Sequence, residues 1–344
     1  MSQNILTQLN DQKRLVDFNS YDISVKELIS MVSDKIIDIA PEYQRQFRWD
    51  IKRQSLLIES IFLGIPVPSL FMATNVDSSW ELIDGVQRLS TLIAFAGDDR
   101  ARKIIGIKEG LRLIELGKLS KFNNKVFSEL PRAIQLDFLL KPLKITTLSD
   151  KSDLKVRFDL FERLNTGGIK LTDQEIRSCI YRGDFNDYLK MLSVEKNFKK
   201  VVKLPKERET DGTREELVLR FFAFLNRYNN FDHSVVDFLN NYMAESTKKF
   251  EYEKNTEIFI KTFKQLSKLP NGISRKRTTT PINLFEAVAV GAALAIKKIG
   301  VISLNNAIRW MNSEELTRLT TGATNSKVKV KGRIEFCYKN FLRK

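Results

Sequence analysis

The sequence has a single histidine, His233, and two cysteines, Cys179 and Cys337. One histidine excludes a histidine-dependent nuclease and a zinc site built from several His ligands. Set beside Asp232, it reads as a surface residue. The two cysteines form neither a CxxC motif nor a disulfide framework, so a reducing, cytoplasmic setting is expected. Long apolar runs are also absent. The longest, Val288 to Ile296, falls far short of the ~20 residues that span a bilayer, and no membrane partner is expected. The opening MSQNILTQLNDQKRL lacks a basic start followed by an apolar block, so no secretion signal is read there. There is no internal repeat and no low-complexity linker.

What remains is an ordinary globular composition with an unusual charge. The chain has 344 residues, 42% hydrophobic and 29% charged. At ~150 residues per domain this suggests two domains, with ample material for a core. The net charge is +15. Such a surplus favours a polyanionic partner, most simply DNA or nucleotide phosphates, the alternative being a basic but inert surface.

The chain is organised around Trp80 to Phe95. Leu82-Ile83 reads as a strand, and Leu89, Leu92, Ile93 and Phe95 recur at helical spacing. Between them lies Asp84-Gly85-Val86-Gln87-Arg88. Gly85 permits the backbone angles of a tight turn. The helix start exposes N–H groups suited to an anion, and Arg88 adds a planar fork matched to phosphate oxygens. Asp84 is the candidate metal ligand, or the group that orients a water or hydroxyl. The competing reading is structural: Asp84 caps the helix and pairs with Arg88 at the surface.

Before this stretch, residues 1–20 read as a loose polar arm. Ser24 with Glu27 suggests a capping box, Ile36 to Ile39 a short strand, and Asp50 the cap of a helix carrying Leu57, Ile58, Ile61 and Phe62. Between strand and helix, residues 41–49 form a loop with two arginines, two glutamines and three aromatics. Leu70 to Thr74 and Trp80 to Ile83 read as a hairpin, which brings the ends of loop 41–49 and turn 84–88 within reach of each other. Residues 97–140 read as mostly helical and Leu143 to Leu148 as a strand. A helix to about Leu164 then breaks at Asn165-Thr166-Gly167-Gly168, and Thr172 with Glu175 opens another. Gly-Gly after a helix is normally a C-cap. Flanked by Arg163, Asn165 and Arg177, it is also a candidate second phosphate loop.

After residue 183 the pattern is helical throughout. The helix at Leu217 to Leu225 is apolar nearly all round and so buried. Ala287 to Ala295 suggests a helix whose backbone packs closely against a neighbour. Basic clusters lie at 196–208, at Arg275-Lys276-Arg277 and at Lys327, Lys329, Lys331 and Arg333. Each is a solvated face or a DNA contact.

Three motifs in order carry a resemblance. Tyr43 to Trp49 (YQRQFRW), Asp84 to Leu92 (DGVQRLSTL), and Phe161 to Gly168 (FERLNTGG) with Gln174 to Arg177 (QEIR) together resemble domain-of-unknown-function family 262, the N-terminal domain of GmrSD-type restriction systems. The likeness covers roughly residues 20–185. The helical remainder resembles stand-alone members without a nuclease half, whose histidine-centred motif this chain lacks. The resemblance implies an α+β fold: a ParB/sulfiredoxin-like mixed-sheet domain over 1–183, followed by an all-helical, basic domain over 184–344. It implies a nucleoside triphosphate with Mg²⁺ as cofactor, nucleotide hydrolysis, and a place in bacterial defence against phage or modified DNA. The family's acid-glycine-glutamine-glutamine-arginine motif maps onto Asp84, Gly85, Gln87 and Arg88, with Asp84, Gln87 and Arg88 as catalytic residues. Valine replaces an amide at Val86, which bears on hydrolysis more than on phosphate binding. Gln44, Arg45, Gly85, Arg163, Asn165, Thr166, Gly168 and Arg177 are the implied phosphate ligands. Arg275, Lys276, Arg277, Lys327, Lys329 and Lys331 are the candidate DNA contacts. The second reading is a non-hydrolysing module that holds DNA or nucleotide and recruits a partner nuclease.

Overall fold

The computed structural model describes residues 5, 18–39, 49–75, 77–149, 158–160, 162–163, 171–275, 279–322 and 324–343. The chain divides into two compact units, 1–170 and 171–344.

The first unit is built on a five-stranded mixed sheet. Its strands are β1 (Phe18–Ser24), β2 (Ile37–Asp38), β3 (Leu70–Thr74), β4 (Trp80–Asp84) and β5 (Pro142–Leu148), in the order β1-β5-β3-β4-β2. The hairpin expected at 70–83 is present as the antiparallel pair β3 and β4. β5 runs parallel to β3, and β1 antiparallel to β5. β1 replaces the end of the expected loose arm. It is an edge strand whose first five residues are exposed, so its sequence carries little apolar alternation.

The helices follow local signals. Ser24 accepts from the Glu27 N–H to start α1 (Val25–Ser33), and Asp50 accepts from the Arg53 N–H to start α2 (Ile51–Phe62). α3 (Val86–Ala96) leaves β4 through Gly85, and α4 (Asp99–Ile104) and α5 (Arg132–Leu140) complete the unit. Leu28, Val32, Ile58, Met72, Leu82, Leu89, Ile93 and Ile145 form its core. Residues 105–119 are not helical, contrary to expectation. Side chains of α2 fix them instead: Ser55 Oγ accepts from the Ile114 N–H, and Glu59 Oε1 from the N–H groups of Lys118 and Leu119.

The second unit is helical, with no strand among its described residues. It contains α6 (Asp173–Ile180), α7 (Asp184–Ser193), α8 (Lys196–Val201), α9 (Thr213–Arg227), α10 (Val235–Lys248) and α11 (Tyr252–Leu266). Ile282–Phe285, a π-turn at Glu286–Val290 and Gly291–Ile299 then run on as α12. α13 (Ala307–Met311), α14 (Glu314–Thr320) and α15 (Lys327–Leu342) close the unit. α6 belongs to this unit, so the division by contacts falls thirteen residues before the change of sequence pattern at 183. α9 is buried as its composition predicts, among Phe198, Phe259, Phe263 and Phe285. α12 meets α15 at backbone distance: a Cβ on Gly291 would lie 2.7 Å from Cys337 Cβ. Both cysteines are buried and unbridged, and burial pushes the Cys337 thiol well above its usual range.

Candidate functional site

The turn from β4 into α3 has the geometry the sequence suggests. Gly85 adopts φ +104°, a left-handed conformation that L side chains rarely adopt. A Cβ there would also lie 2.3 Å from Leu70 Cδ2 and 3.1 Å from Arg88 Nη2. Glycine is therefore required both by the backbone angle and by the close approach. It leaves the start of α3 without a side-chain cap. Asp84 does not cap the helix as the structural alternative proposed. Its Oδ2 accepts from Arg88 Nη2 at 2.6 Å instead.

Arg88 is the better buried member of this pair, 16% exposed against 34% for Asp84. Its Nη2 also donates to the Ser69 carbonyl at 3.2 Å. Leu57, Ile61, Leu70 and Leu92 line the space beside it. Arg88 Nε is buried and has no hydrogen-bond partner among the described residues. The pair is thus neither a solvated surface contact nor a fully desolvated one, and its net worth is ~1 kcal/mol. Its larger effect is orientational, because it fixes a guanidinium at a helix start.

The next residues split between packing and linkage. Val86 is buried, 9% exposed, and points no polar group into the turn. Gln87 Oε1 accepts from the Trp49 N–H at 3.1 Å, and Gln54 Nε2 donates to the Trp49 carbonyl at 2.7 Å. Arg53 stacks over the Trp49 ring at 4.6 Å. The end of the first motif therefore does meet the second motif. Gln54 was not singled out in the sequence, although a glutamine on the apolar face of α2 is a readable signal. It is 7% exposed and holds Trp49 against the turn.

Other candidates have different places. Gln44, Arg45, Asn165, Thr166 and Gly168 lie outside the described residues, as do Lys276 and Arg277. Arg163 is exposed on a helical turn. Arg177 is not available as a phosphate ligand. It is 1% exposed, and its guanidinium donates to Asn240 Oδ1 at 2.7 Å and Glu216 Oε2 at 3.1 Å. It begins a buried network that continues from Glu216 to Arg220, from Arg220 to Glu286 at 2.6 Å, and from Glu286 to Arg333. Burial drives the Arg177 pKa below its usual value. Burial pushes Glu216 upward, but the charges of Arg220 and Arg177 outweigh it and hold the carboxyl below the usual range.

Arg275 is likewise engaged within the fold, donating to the Met311 carbonyl at 3.0 Å and to Thr320 Oγ1 at 2.7 Å. Lys327 and Lys331 are exposed on α15, and Lys329 Nζ donates to the Thr321 carbonyl. His233 is exposed and pairs with Asp232 at 2.9 Å. Among the described residues no group of three His, Cys, Asp or Glu side chains could hold a metal ion. Asp84 alone suits Mg²⁺ only as one ligand to an ion that phosphates also hold. No helix among the described residues is long and apolar enough to cross a membrane.

A strand, a glycine turn and a helix start that holds an oriented arginine form the candidate site of this α+β unit. The family model for the GmrSD restriction endonuclease N-terminal domain matches residues 25–182. Over those residues the chain is similar to that family. No curated protein matches the chain. A solved structure of a Pnob8-like ParB-N domain is similar at 11% identity, covering 95% of this chain and 99% of that one, with a TM-score of 0.22. A score that low carries no argument for the site.

Proposed function

We propose that the N-terminal unit binds a nucleoside triphosphate at the β4–α3 turn, hydrolyses it, and couples it to DNA association in a restriction-type defence system. The observation that supports this reading is the half-buried Arg88, pinned by Asp84 and the Ser69 carbonyl beside an uncapped helix start. A guanidinium already oriented costs little further order when it meets a phosphate. Gln87 links this helix start to Trp49, so the end of the first motif is tied to the turn. When bound, Mg²⁺ would supply charge neutralisation of the phosphates, with Asp84 as its one protein carboxylate here.

A second reading has its own support. Val86 is buried where the family pattern has an amide, so the turn has one fewer group to orient a water. On that reading the protein binds nucleotide without turnover and recruits a separate nuclease.

Phosphate release from each of the four common triphosphates, with and without DNA, separates the two. Calorimetry with a non-hydrolysable triphosphate measures binding alone. Arg88→Ala should weaken binding ~10- to 100-fold, since a charge-assisted contact is worth ~1.5–3 kcal/mol. Unchanged binding in a folded Arg88→Ala variant overturns both readings. DNA binding should fall steeply with salt, with a log–log slope of about −0.9 per neutralised phosphate on B-DNA.

A further inference from the structure

The second unit contains a cavity of its own. It lies within the helical unit, between α13, α14 and α15, and has a volume of about 730 Å³. That is the size range of small-ligand sites, ~300–1,000 Å³. Two aromatic side chains form part of its wall, Trp310 from α13 and Phe336 from α15. Trp310 is nine-tenths buried and stands edge-on to Phe341 at 5.0 Å, which holds the indole in place. Its Nε1–H has no hydrogen-bond partner among the described residues. A buried indole N–H without an acceptor is costly, and such groups usually find one. Phe336 is only half-buried.

The polar part of the lining is cationic at its rim. Arg309 and Lys339 are exposed and make no ion pair among the described residues. Arg343 adds a third cation, and its Nη1 reaches only Asn340 Oδ1, at 3.4 Å. The carboxylates in the lining are Glu315 and Glu335, and Glu335 lies 3.7 Å from Lys331. Cations therefore outnumber acids, and the acids leave acceptors for a ligand that also carries N–H donors.

Flat aromatic surface, unpaired cations and carboxylate acceptors in one cavity suit a single chemistry. We infer that this cavity binds a nucleotide unit: a phosphate held by Arg309 and Lys339, and an amino-bearing base against Phe336 with its exocyclic amine toward Glu315 or Glu335. Base–aromatic stacking and backbone phosphate contact are the two terms that govern single-stranded nucleic-acid binding, and a carboxylate accepts well from a base amine. The same unit could come from a free mononucleotide or from an unpaired strand of DNA. The cavity is independent of the β4–α3 turn, so it stands whether or not the turn binds a triphosphate.

The test uses the full chain and fluorescence anisotropy with labelled oligo-dC, oligo-dT and duplex probes, together with AMP and CMP as competitors. Oligo-dC should bind more tightly than oligo-dT. Arg309→Ala/Lys339→Ala should weaken oligo-dC binding at least ~10-fold, and Phe336→Leu at least ~5-fold. The matched control removes the same charge at the C-terminal end of α11 and just after it, as Lys264→Ala/Lys268→Ala, and should change binding less than ~3-fold. Competition by CMP assigns the site to free nucleotides, and competition only by unlabelled oligo-dC assigns it to single strands. Equal losses in the α11 control and the cavity variant, preference for oligo-dT, or an unaffected Phe336→Leu variant that melts like the wild type would overturn the inference.

Discussion

Glu286→Gln should be among the most damaging conservative substitutions in the helical unit. Glu286 is fully buried on the π-turn of α12 and takes hydrogen bonds from two arginines, Arg220 and Arg333, the latter also fully buried. The network contains three arginines, Arg177, Arg220 and Arg333, and two glutamates, Glu216 and Glu286. Neutralising Glu286 leaves three cations facing one carboxylate in a low-dielectric interior. Breaking one side of a buried pair costs about 3–5 kcal/mol, whereas a domain's whole stability is about 5–15 kcal/mol. For a unit of this size a loss of that order lowers Tm by roughly 6–20 °C. Urea and thermal melts followed by circular dichroism measure it. Glu257→Gln, which breaks the exposed Glu257–Lys261 pair at 2.6 Å, is the control and should leave the midpoint nearly unchanged. A Glu286→Met/Arg333→Met double variant should be more stable than Glu286→Gln, because Arg220 keeps Glu216 and neither replacement leaves a buried charge. If Glu286→Gln melts within about 1 kcal/mol of wild type, the network is not desolvated and the reasoning fails.

Three further outcomes follow from local geometry. Gly85→Ala should destabilise the first unit by about 2 kcal/mol or more, since it combines a left-handed backbone with a 2.3 Å approach to Leu70; a denaturant midpoint equal to wild type would refute it. The Tyr188 hydroxyl, buried and bonded to Thr256 at 2.9 Å, has its pKa pushed by burial up to about 12. Its stabilising effect is full below the unfolded value near 10 and fades as pH rises through about 12, a pH dependence that Tyr188→Phe should remove in alkaline melts. Glu216 is held below the ordinary carboxylate range, so its contribution is full above the unfolded value of ~4.3 and is lost as pH falls through the lower folded-state value. Acid titration of Glu216→Gln should show a flatter decline than wild type.

Much of this architecture was legible because its causes are local. The Asp50 cap, the Thr172–Glu175 capping box and the hairpin at 70–84 each depend on residues a few positions apart. β1 was not legible, because its seven residues are mostly exposed and its partner β5 lies far along the chain. Residues 105–119 misled for a related reason: their backbone groups are satisfied by Ser55 and Glu59 of α2, which no short window contains. Arg177 shows the same limit at the level of function. Beside a Gly-Gly break it reads as a phosphate ligand, and only the tertiary arrival of Glu216 and Asn240 makes it structural. Gln87 of the second motif does meet Trp49, the last residue of the first, and Arg88 turns back to Asp84 within its own motif.

The Asp84–Arg88 pair sets a condition on the proposed nucleotide site that Asp84→Asn can test. Arg88 Nη2 is already shared between Asp84 Oδ2 and the Ser69 carbonyl, so an incoming phosphate competes with a carboxylate for the same guanidinium. Asparagine keeps an oxygen acceptor of similar shape but removes the negative charge. Without Mg²⁺, the phosphate then meets less repulsion and a less committed arginine. Binding of a non-hydrolysable triphosphate should tighten by ~3- to 10-fold, the worth of a half-buried pair at about 1 kcal/mol. With Mg²⁺ that gain should shrink or reverse, because the ion loses its one protein carboxylate, and any turnover should fall further than binding. The sign change between the two conditions is the readout. Equal effects with and without the ion would mean that Asp84 serves only to orient Arg88. Weaker binding of Asp84→Asn in the absence of Mg²⁺ would mean that the pair itself, rather than Arg88 released from it, is what the ligand recognises.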